Sequence, residues 1–359
     1  MKFAHFFNPG RASMWLFALA AVVLTVVAST FGSPLDHTQT ISLGLAAGAD
    51  LPLVGLGGLI ITNQLLESLR RTFRQDFKDG FKIADPFWNL VATLVPSGSG
   101  ANTYGWLSQF PQFREWVGDR VIKDMKEHGY QIVNRHFESS VGLNRNQIED
   151  DNIGVYSPLF QEMGRAAAAF PDELIRDVIL GAEVGLCYDG QPFFDTEHPV
   201  YANVDGTGAN TPVSNVSGAG ANPAWYLLDT SRSLKPFIYQ QRRAPQFTSM
   251  TKMDDEAVFT SNEYRWGVDV RAEAGYGLWQ MARKSTLALT AANFEAERKA
   301  MRQVAADGGR PMGCMPTVLL CGTELEPEAE RILVSERTNG GDTNTNRGKA
   351  KIISVPWLD

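Results

Sequence analysis

Residues 185–240 constrain this chain more than any other stretch. They read GLCYDGQPFFDTEHPVYANVDGTG, cross a Gly/Asn/Ser-rich gap, and resume as PAWYLLDTSRSLKPFIYQ. Gly, Pro, Asp and Asn stand beside Phe, Tyr and Trp with neither the period of a helix nor the alternation of a strand. The pattern predicts ordered loop pinned by aromatic side chains. So much irregular backbone is unusual inside a compact domain and marks a functional or interaction surface.

The chemistry such a loop could carry is limited. Cys187, Asp189, Asp195, Glu197 and His198 fall within twelve residues and offer thiolate, carboxylate and imidazole to a metal. Their spacing matches no standard site, and no second His/Cys pair lies nearby in sequence. Asp189-Gly190 reads more simply as a turn, and His198-Pro199 as the entry to an extended segment. A Cys187–His198 nucleophile pair lacks an orienting third residue. The expectation is structural hydrogen bonding, with no metal and no cofactor. No GxxxxGK[ST], GxSxG or HExxH motif occurs, and the glycine clusters at 98–100, 206–208 and 218–220 do not complete GxGxxG.

Charge and cysteine usage narrow the class further. A net charge of −7 argues against a broad basic face that grips nucleic acid, while allowing DNA to lie nearby without sticking. Three cysteines without a CxxC pair fit a reducing compartment better than a disulfide framework. The 33 glycines and 18 prolines predict many turns rather than a helical bundle, and 359 residues allow two or three domains or one elongated subunit.

The first helix is predicted over 63–80, with Asn63 as N-cap and Gly80 as stop. Leu65, Leu69, Phe73 and Phe77 recur every four residues, and Arg70, Arg71, Arg74 and Lys78 occupy other faces. Residues 96–103 read as a flexible link, followed by an aromatic segment with Trp106, Phe110, Phe113 and Trp116. Residues 117–122 and 130–143 are strand candidates around an exposed turn at 123–129. A long helix is capped by Ser157, carries Pro158 in its first turn and stops at Gly181. Pro171 predicts a kink or break near Phe170, and the alanines at 166–169 form a smooth packing face. Arg242-Arg243, with Arg232 and Lys235 before them, could touch phosphates or form salt bridges within the loop or between subunits. Trp266, Tyr276 and Trp279 read as core. The last third alternates helix (293–304), strand (317–321), helix (326–334) and strand (351–355), with a mobile loop at 339–347, which suits a mixed α+β domain.

The N-terminus stands apart. MWLFALAAVVLTVVA, residues 14–28, follows Lys2 and Arg11 and ends in a small-residue Val26-x-Ala28 pattern, as a signal peptide does. Extended to 12–31, the same run is just long enough to span a bilayer.

Many phrases carry a family resemblance. They include SGANTYGWLSQFPQFREWVGDR from Ser99, EHGYQIVNRHFESSVG, IEDDNIGVYSPLFQEMGRAAAAFPDEL, the 185–240 wording itself, AGYGLWQMA and PTVLLCGTELEPEAERIL. Over roughly 59–359 the chain resembles the major head subunit (gpT) of Mu-like phages and prophages, with residues 1–58 outside the pattern. The resemblance implies the HK97-like α+β capsid fold of tailed phages, with peripheral and axial domains, a long spine helix, an extended loop and an N-terminal arm. The spine would be the helix from Ser157, and the extended loop the hairpin around 123–129. The arm would be the 63–80 helix, reaching a neighbouring subunit through Leu65, Leu69, Phe73 and Phe77. Arg242 and Arg243 are further candidate contacts.

The resemblance also implies a structural protein rather than an enzyme. Copies would assemble in the bacterial host cytoplasm into an icosahedral virion capsid around double-stranded DNA, with scaffold, protease and portal proteins. On this reading, deleting 63–80 spares folding and impairs assembly. Three alternatives remain: a membrane-anchored or secreted protein using the apolar segment at 14–31, a metal-dependent hydrolase using the 187–198 cluster, and an encapsulin-like compartment of the same fold.

Overall fold

Thr62 is extended (φ −107°, ψ 158°), and its hydroxyl accepts the Leu65 N–H at 3.2 Å, so Thr62 rather than Asn63 caps the first helix, α1 (Asn63–Ile83). Gly80 does not stop it. The helix runs to Ile83 and ends where Pro86 disfavours helical backbone in the residue before it. The computed structural model describes residues 61–105, 107, 129–150, 153–204, 206–220, 222–338 and 340–359. The chain divides between Leu56 and Gly57, and the described residues all lie in the second unit, Gly57–Asp359.

The chain continues through α2 (Trp88–Val91), β1 (Ala92–Pro96), β2 (Ala101–Thr103), β3 (Gln131–Val133), β4 (Arg135–Asn144), α3 (Arg145–Glu149) and α4 (Ser157–Leu180). Next come β5 (His198–Tyr201), β6 (Asn210–Val213), β7 (Val216–Ser217), β8 (Trp225–Leu228), β9 (Phe237–Met250), α5 (Glu256–Ser261) and β10 (Glu263–Tyr276). The last elements are β11 (Ala282–Ser285), α6 (Ala291–Arg302), β12 (Val318–Cys321), α7 (Glu326–Leu333) and β13 (Lys351–Ser354).

Two sheets organise these elements. The first has the order β1-β9-β10-β4, with β9 and β10 as a long antiparallel hairpin. The second has the order β13-β12-β8-β11-β7, parallel at both edges and antiparallel at its centre. β9 belongs to both halves of the subunit. Its first four residues are buried in the central core, and then burial alternates as the strand runs out with one face on the helices. There Phe247 meets Phe77 and Phe160.

The peripheral core lies between α1, α4 and the outer hairpin. Leu66, Leu69, Phe73 and Phe77 of α1 pack with Phe160, Met163, Tyr264 and Trp266. Phe73 stacks on Phe160 with centroids 4.1 Å apart and meets Trp266 edge-on at 5.3 Å. The two helices touch backbone to backbone. A Cβ on Gly80 would collide with the Gln161 carbonyl, and one on Gly164 with the Phe77 carbonyl. The close approach therefore uses two glycines rather than the alanines at 166–169, of which only Ala168 is fully buried.

Ser157 is the first residue of α4 rather than its cap; Tyr156 precedes it in helical conformation, with no side-chain cap hydrogen bond. α4 is one continuous helix of 24 residues through Pro171, so no break occurs at Phe170. Its end closes as expected, with the Gly181 N–H donating to the Asp177 carbonyl at 2.9 Å. Asp172, 5% exposed, accepts the N–H groups of Trp88 at 2.8 Å and Phe87 at 3.3 Å and so anchors α2 to the spine. Burial pushes its carboxyl up to about 6, against those two hydrogen bonds. Between its ordinary 3.8 and about 6, the folded state holds a proton that the unfolded chain has released. This group's contribution is therefore complete at low pH and is lost as pH rises through about 6. Asp172→Asn is expected to flatten that part of the stability profile, as read by urea unfolding between pH 4 and 8.

Two further segments differ from expectation because side-chain amides tie them down. In the 96–103 turn, Asn134 Nδ2 donates to Ser97 Oγ at 2.9 Å and to the Ser99 carbonyl at 3.0 Å, so this is a pinned turn rather than a flexible link. After α7, Asn344 Nδ2 donates to the Ile332 and Ser335 carbonyls, both at 2.9 Å, and Asn346 is buried. That loop too is anchored. The remaining helices and strands of the last third stand where the pattern put them, to within two residues. The candidate hairpin turn at 123–128, the strand at 117–122, the aromatics Trp106, Phe110, Phe113 and Trp116, and the apolar 14–31 segment lie outside the described residues. No described helix is long and apolar enough to cross a membrane.

Candidate assembly surfaces and the buried aromatic loop

The 185–240 stretch is less irregular than its composition suggests. It contains four short strands, and β8, Trp-Tyr-Leu-Leu, is the middle strand of the second sheet with all four residues buried. The rest is the expected aromatic-pinned loop. Phe193 lies flat on Tyr276 (4.8 Å, 15°), and Phe194 packs on Tyr226 at 5.5 Å. The Tyr276 hydroxyl donates to the Val178 carbonyl of α4 at 3.1 Å, which joins loop, hairpin and spine. Asn215, 2% exposed, donates to the Phe193 carbonyl at 2.8 Å and accepts the Asp195 N–H at 3.0 Å.

Within the loop, the structure brings Cys187, Asp189 and His198 together, with one ligand atom from each within 4.8 Å of the others. Gly190 supplies the left-handed residue (φ +87°) that turns the chain back, so that the Cys187 N–H reaches the Gln191 carbonyl at 2.8 Å. Asp189 is the hub. One oxygen accepts the Cys187 thiol and the Gln191 N–H, both at 3.0 Å, and the other faces His198 Nδ1 at 2.8 Å. Burial works to raise the Asp189 carboxyl, but these hydrogen bonds outweigh it and hold the group below its ordinary value. Burial and the neighbouring Asp189 push the Cys187 thiol well up, which keeps it protonated as a donor.

His198 is fully buried and lies flat on Trp279 (4.1 Å, 7°), with Nε2 3.3 Å from the Phe193 carbonyl. Pro199 follows it in β5, paired with Pro212. Asp195 does not join the cluster; its carboxylate accepts the Thr196 N–H. Each donor atom that a metal could use already serves in a hydrogen bond, so the arrangement works as a lock that closes the loop. Asp189→Ala would strand two buried donors, and it is expected to cost about 1–3 kcal/mol by chemical denaturation.

The candidate contact residues divide. Leu69, Phe73 and Phe77 are buried in their own subunit, Leu66 takes the core position expected for Leu65, and Leu65 is only half-buried. The seam runs along 66, 69, 73, 77 and 80, so the helix of the expected arm packs on its own spine. Arg243 lies in β9 and pairs with Asp269 of β10, beside His136, so it is engaged within its own sheet. Arg242 is exposed. Trp266, Tyr276 and Trp279 are core. Sequence reasoning did not single out Phe259, which is 86% exposed at the hairpin tip; the short run Ala257-Val258-Phe259 gave no periodic signal.

The family model for the Mu-like prophage major head subunit gpT matches residues 66–358. This chain belongs to that family. The major capsid protein of Escherichia phage Mu is 43% identical over 305 residues, covering 84% of this chain and 100% of the relative. The Mu-like prophage FluMu major head subunit of Haemophilus influenzae is 44% identical over 306 residues, 83% of this chain and 99% of the relative. Among solved structures, the procapsid of bacteriophage JBD30 matches with a TM-score of 0.74 at 52% identity, covering 83% of this chain and 100% of that one. The capsid of the same phage matches with a TM-score of 0.64 at 39% identity, covering 84% and 100%. The fold is accordingly the α+β, HK97-like capsid fold, and the chain is a Mu-like major capsid protein. In this family's terms, α4 is the spine.

Proposed function

We propose that copies of this chain assemble in the host cytoplasm, with scaffold, protease and portal proteins, into a closed icosahedral head around double-stranded DNA. The observation that carries this reading is the family match, which spans residues 66–358, with the phage Mu relative covered over its full length. Those relatives are named as a major capsid protein and a major head subunit, which supports a non-catalytic role. Residues 1–58 precede the matched region and are read as dispensable for the shell.

The physical logic is one of repeated modest contacts. A standard interface buries on the order of 1,600 Å² in total, and closure of a shell multiplies it while each contact stays reversible during assembly. With a net charge of −7, the subunit confines DNA rather than gripping it. With the seam of α1 committed to its own spine, the candidate contacts that remain open to neighbours include its exposed face, Leu65 at its edge, and Arg242 on β9.

Nuclease treatment of particles purified from the native host tests the enclosure. Protected double-stranded DNA is the expected result. Particles that never protect DNA would overturn that part of the reading, and a chain absent from all particles would overturn the whole.

A further inference from the structure

Helix α6 turns Phe294, Glu297 and Met301 into the core and leaves another face to solvent. On that face Glu295, Arg298, Lys299 and Arg302 recur at helical spacing and, with Gln303, line a groove of about 540 Å³. Lys349, from the loop after α7, lines the same groove. Its ammonium donates to Asn346 Oδ1 at 2.7 Å, and Asn346 is itself buried, so the loop holds the cation in place. Two elements far apart in sequence thus bring four cations together.

The nearby carboxylates do not neutralise them. Glu295 is the one acid among the lining residues, 4.0 Å from the Lys349 ammonium. Glu297 faces inward and pairs with Arg283. Glu336 pairs with Arg347 at 2.9 Å, and Asp342 of the same loop does not line the groove. Arg298, Lys299 and Arg302 make no side-chain hydrogen bond or ion pair among the described residues, and Arg298 Nε is buried without a partner. Lys299 and Arg302 also suit the negative end of the helix dipole, but that role asks for neither Arg298 nor Lys349.

Charge and spacing identify the occupant. Arg298 to Arg302 spans four residue steps, about 6 Å along the helix, so the groove offers a row of positive charge rather than a point. A row is matched by a ligand of repeated negative charge, and the planar guanidinium fork matches phosphate oxygens. A net charge of −7 argues against a broad basic face but leaves room for a short one. In a head, the polyanion held against the wall in large excess is double-stranded DNA.

We propose that the α6 groove takes the phosphate backbone of double-stranded DNA, without reading its sequence, as one weak contact per subunit. The proposal rests on the shell reading above and names where the confined DNA touches the wall.

The test is fluorescence anisotropy of short labelled duplexes of two unrelated sequences, titrated with the full chain freed of particles by sedimentation. Both duplexes are expected to bind alike. With about three phosphates neutralised, affinity should fall about fortyfold between about 50 and 200 mM salt. Arg298→Gln combined with Arg302→Gln is expected to weaken binding about tenfold and to reduce the salt slope by about two, with Tm unchanged. Lys299→Gln, at an exposed position, is expected to reduce the slope by about one, which keeps the test decisive if the double variant is less stable. Arg298→Lys keeps the charge and is expected to keep most of the affinity. Wild-type affinity and salt slope in both Gln variants would overturn the proposal, as would a wild-type chain that binds neither duplex at low salt. Poly-glutamate that displaces duplex charge for charge, and loses binding in the same variants, would also overturn it by making the groove a site for an acidic protein segment. Free inorganic phosphate is expected to compete far less well than duplex; equal competition would reduce the groove to a single-anion site and overturn the duplex assignment. Failure of the shell reading shows separately, as a wild-type chain that forms no particles.

Discussion

Gly80→Ala and Gly164→Ala are each expected to destabilise the subunit, although alanine is the better helix former. The propensity gain in a helix interior is about 1 kcal/mol. Against it stands a steric conflict with backbone on the opposing helix: the Gln161 carbonyl for Gly80, and the Phe77 carbonyl with the Phe81 N–H for Gly164. Backbone on a packed helix cannot rotate away, so the helices must separate along a seam that carries Phe73 on Phe160. Overpacking of this kind costs about 1–3 kcal/mol and sometimes more, so the net change is a loss. Larger residues at either glycine are expected to prevent folding. The check is a thermal melt of each variant, in which a subunit of this size should lose roughly 2–4 °C per kcal/mol. A Tm equal to or above wild type would show that the helices do not cross at these glycines.

Deletion of 63–83 is expected to abolish the folded subunit rather than to spare it and block assembly. The excised helix covers Phe160, Met163, Tyr264 and Trp266, and it contributes two buried Leu and two buried Phe of its own. Truncating single residues of these kinds costs about 2–5 kcal/mol each. Their joint loss, about 8–20 kcal/mol on that scale, matches or exceeds the roughly 5–15 kcal/mol that holds an ordinary domain together. The deleted protein should be insoluble, or expanded with exposed apolar surface. A soluble deletion variant that unfolds cooperatively would restore α1 as a detachable arm.

These two results bear on what the sequence could reveal. A glycine near the end of an amphipathic run signals either a helix stop or a close approach. The partner that decides between them, Gln161, lies far along the chain, so local pattern chose the stop. Adjacent leucines at 65 and 66 put the first position of the seam one residue too early, because both fit a helical stripe until its far side is known, while 69, 73 and 77 stood as expected. Strand β8 was unreadable as strand: it is four residues long, buried on both faces, and set among Gly, Asn and Pro. The aromatic pinning around it was legible from residue types, as were the spine's start and stop and the helices and strands of the last third.

The candidate site was legible in part. Asp189-Gly190 as a turn and His198-Pro199 as the entry to β5 followed from local chemistry. That Asp189 gathers Cys187 and His198, with Trp279 as the floor, depends on the fold. The family itself was carried by phrases spread over the chain rather than by any catalytic constellation.

The measurement that tests the account most directly is sedimentation velocity of the chain, in its full form and beginning at Leu59, with electron microscopy of any fast fraction. The account predicts large closed particles or discrete capsomer rings from both forms. A well-behaved monomer in both, unchanged by co-expression with a scaffold partner from the same head, would contradict it.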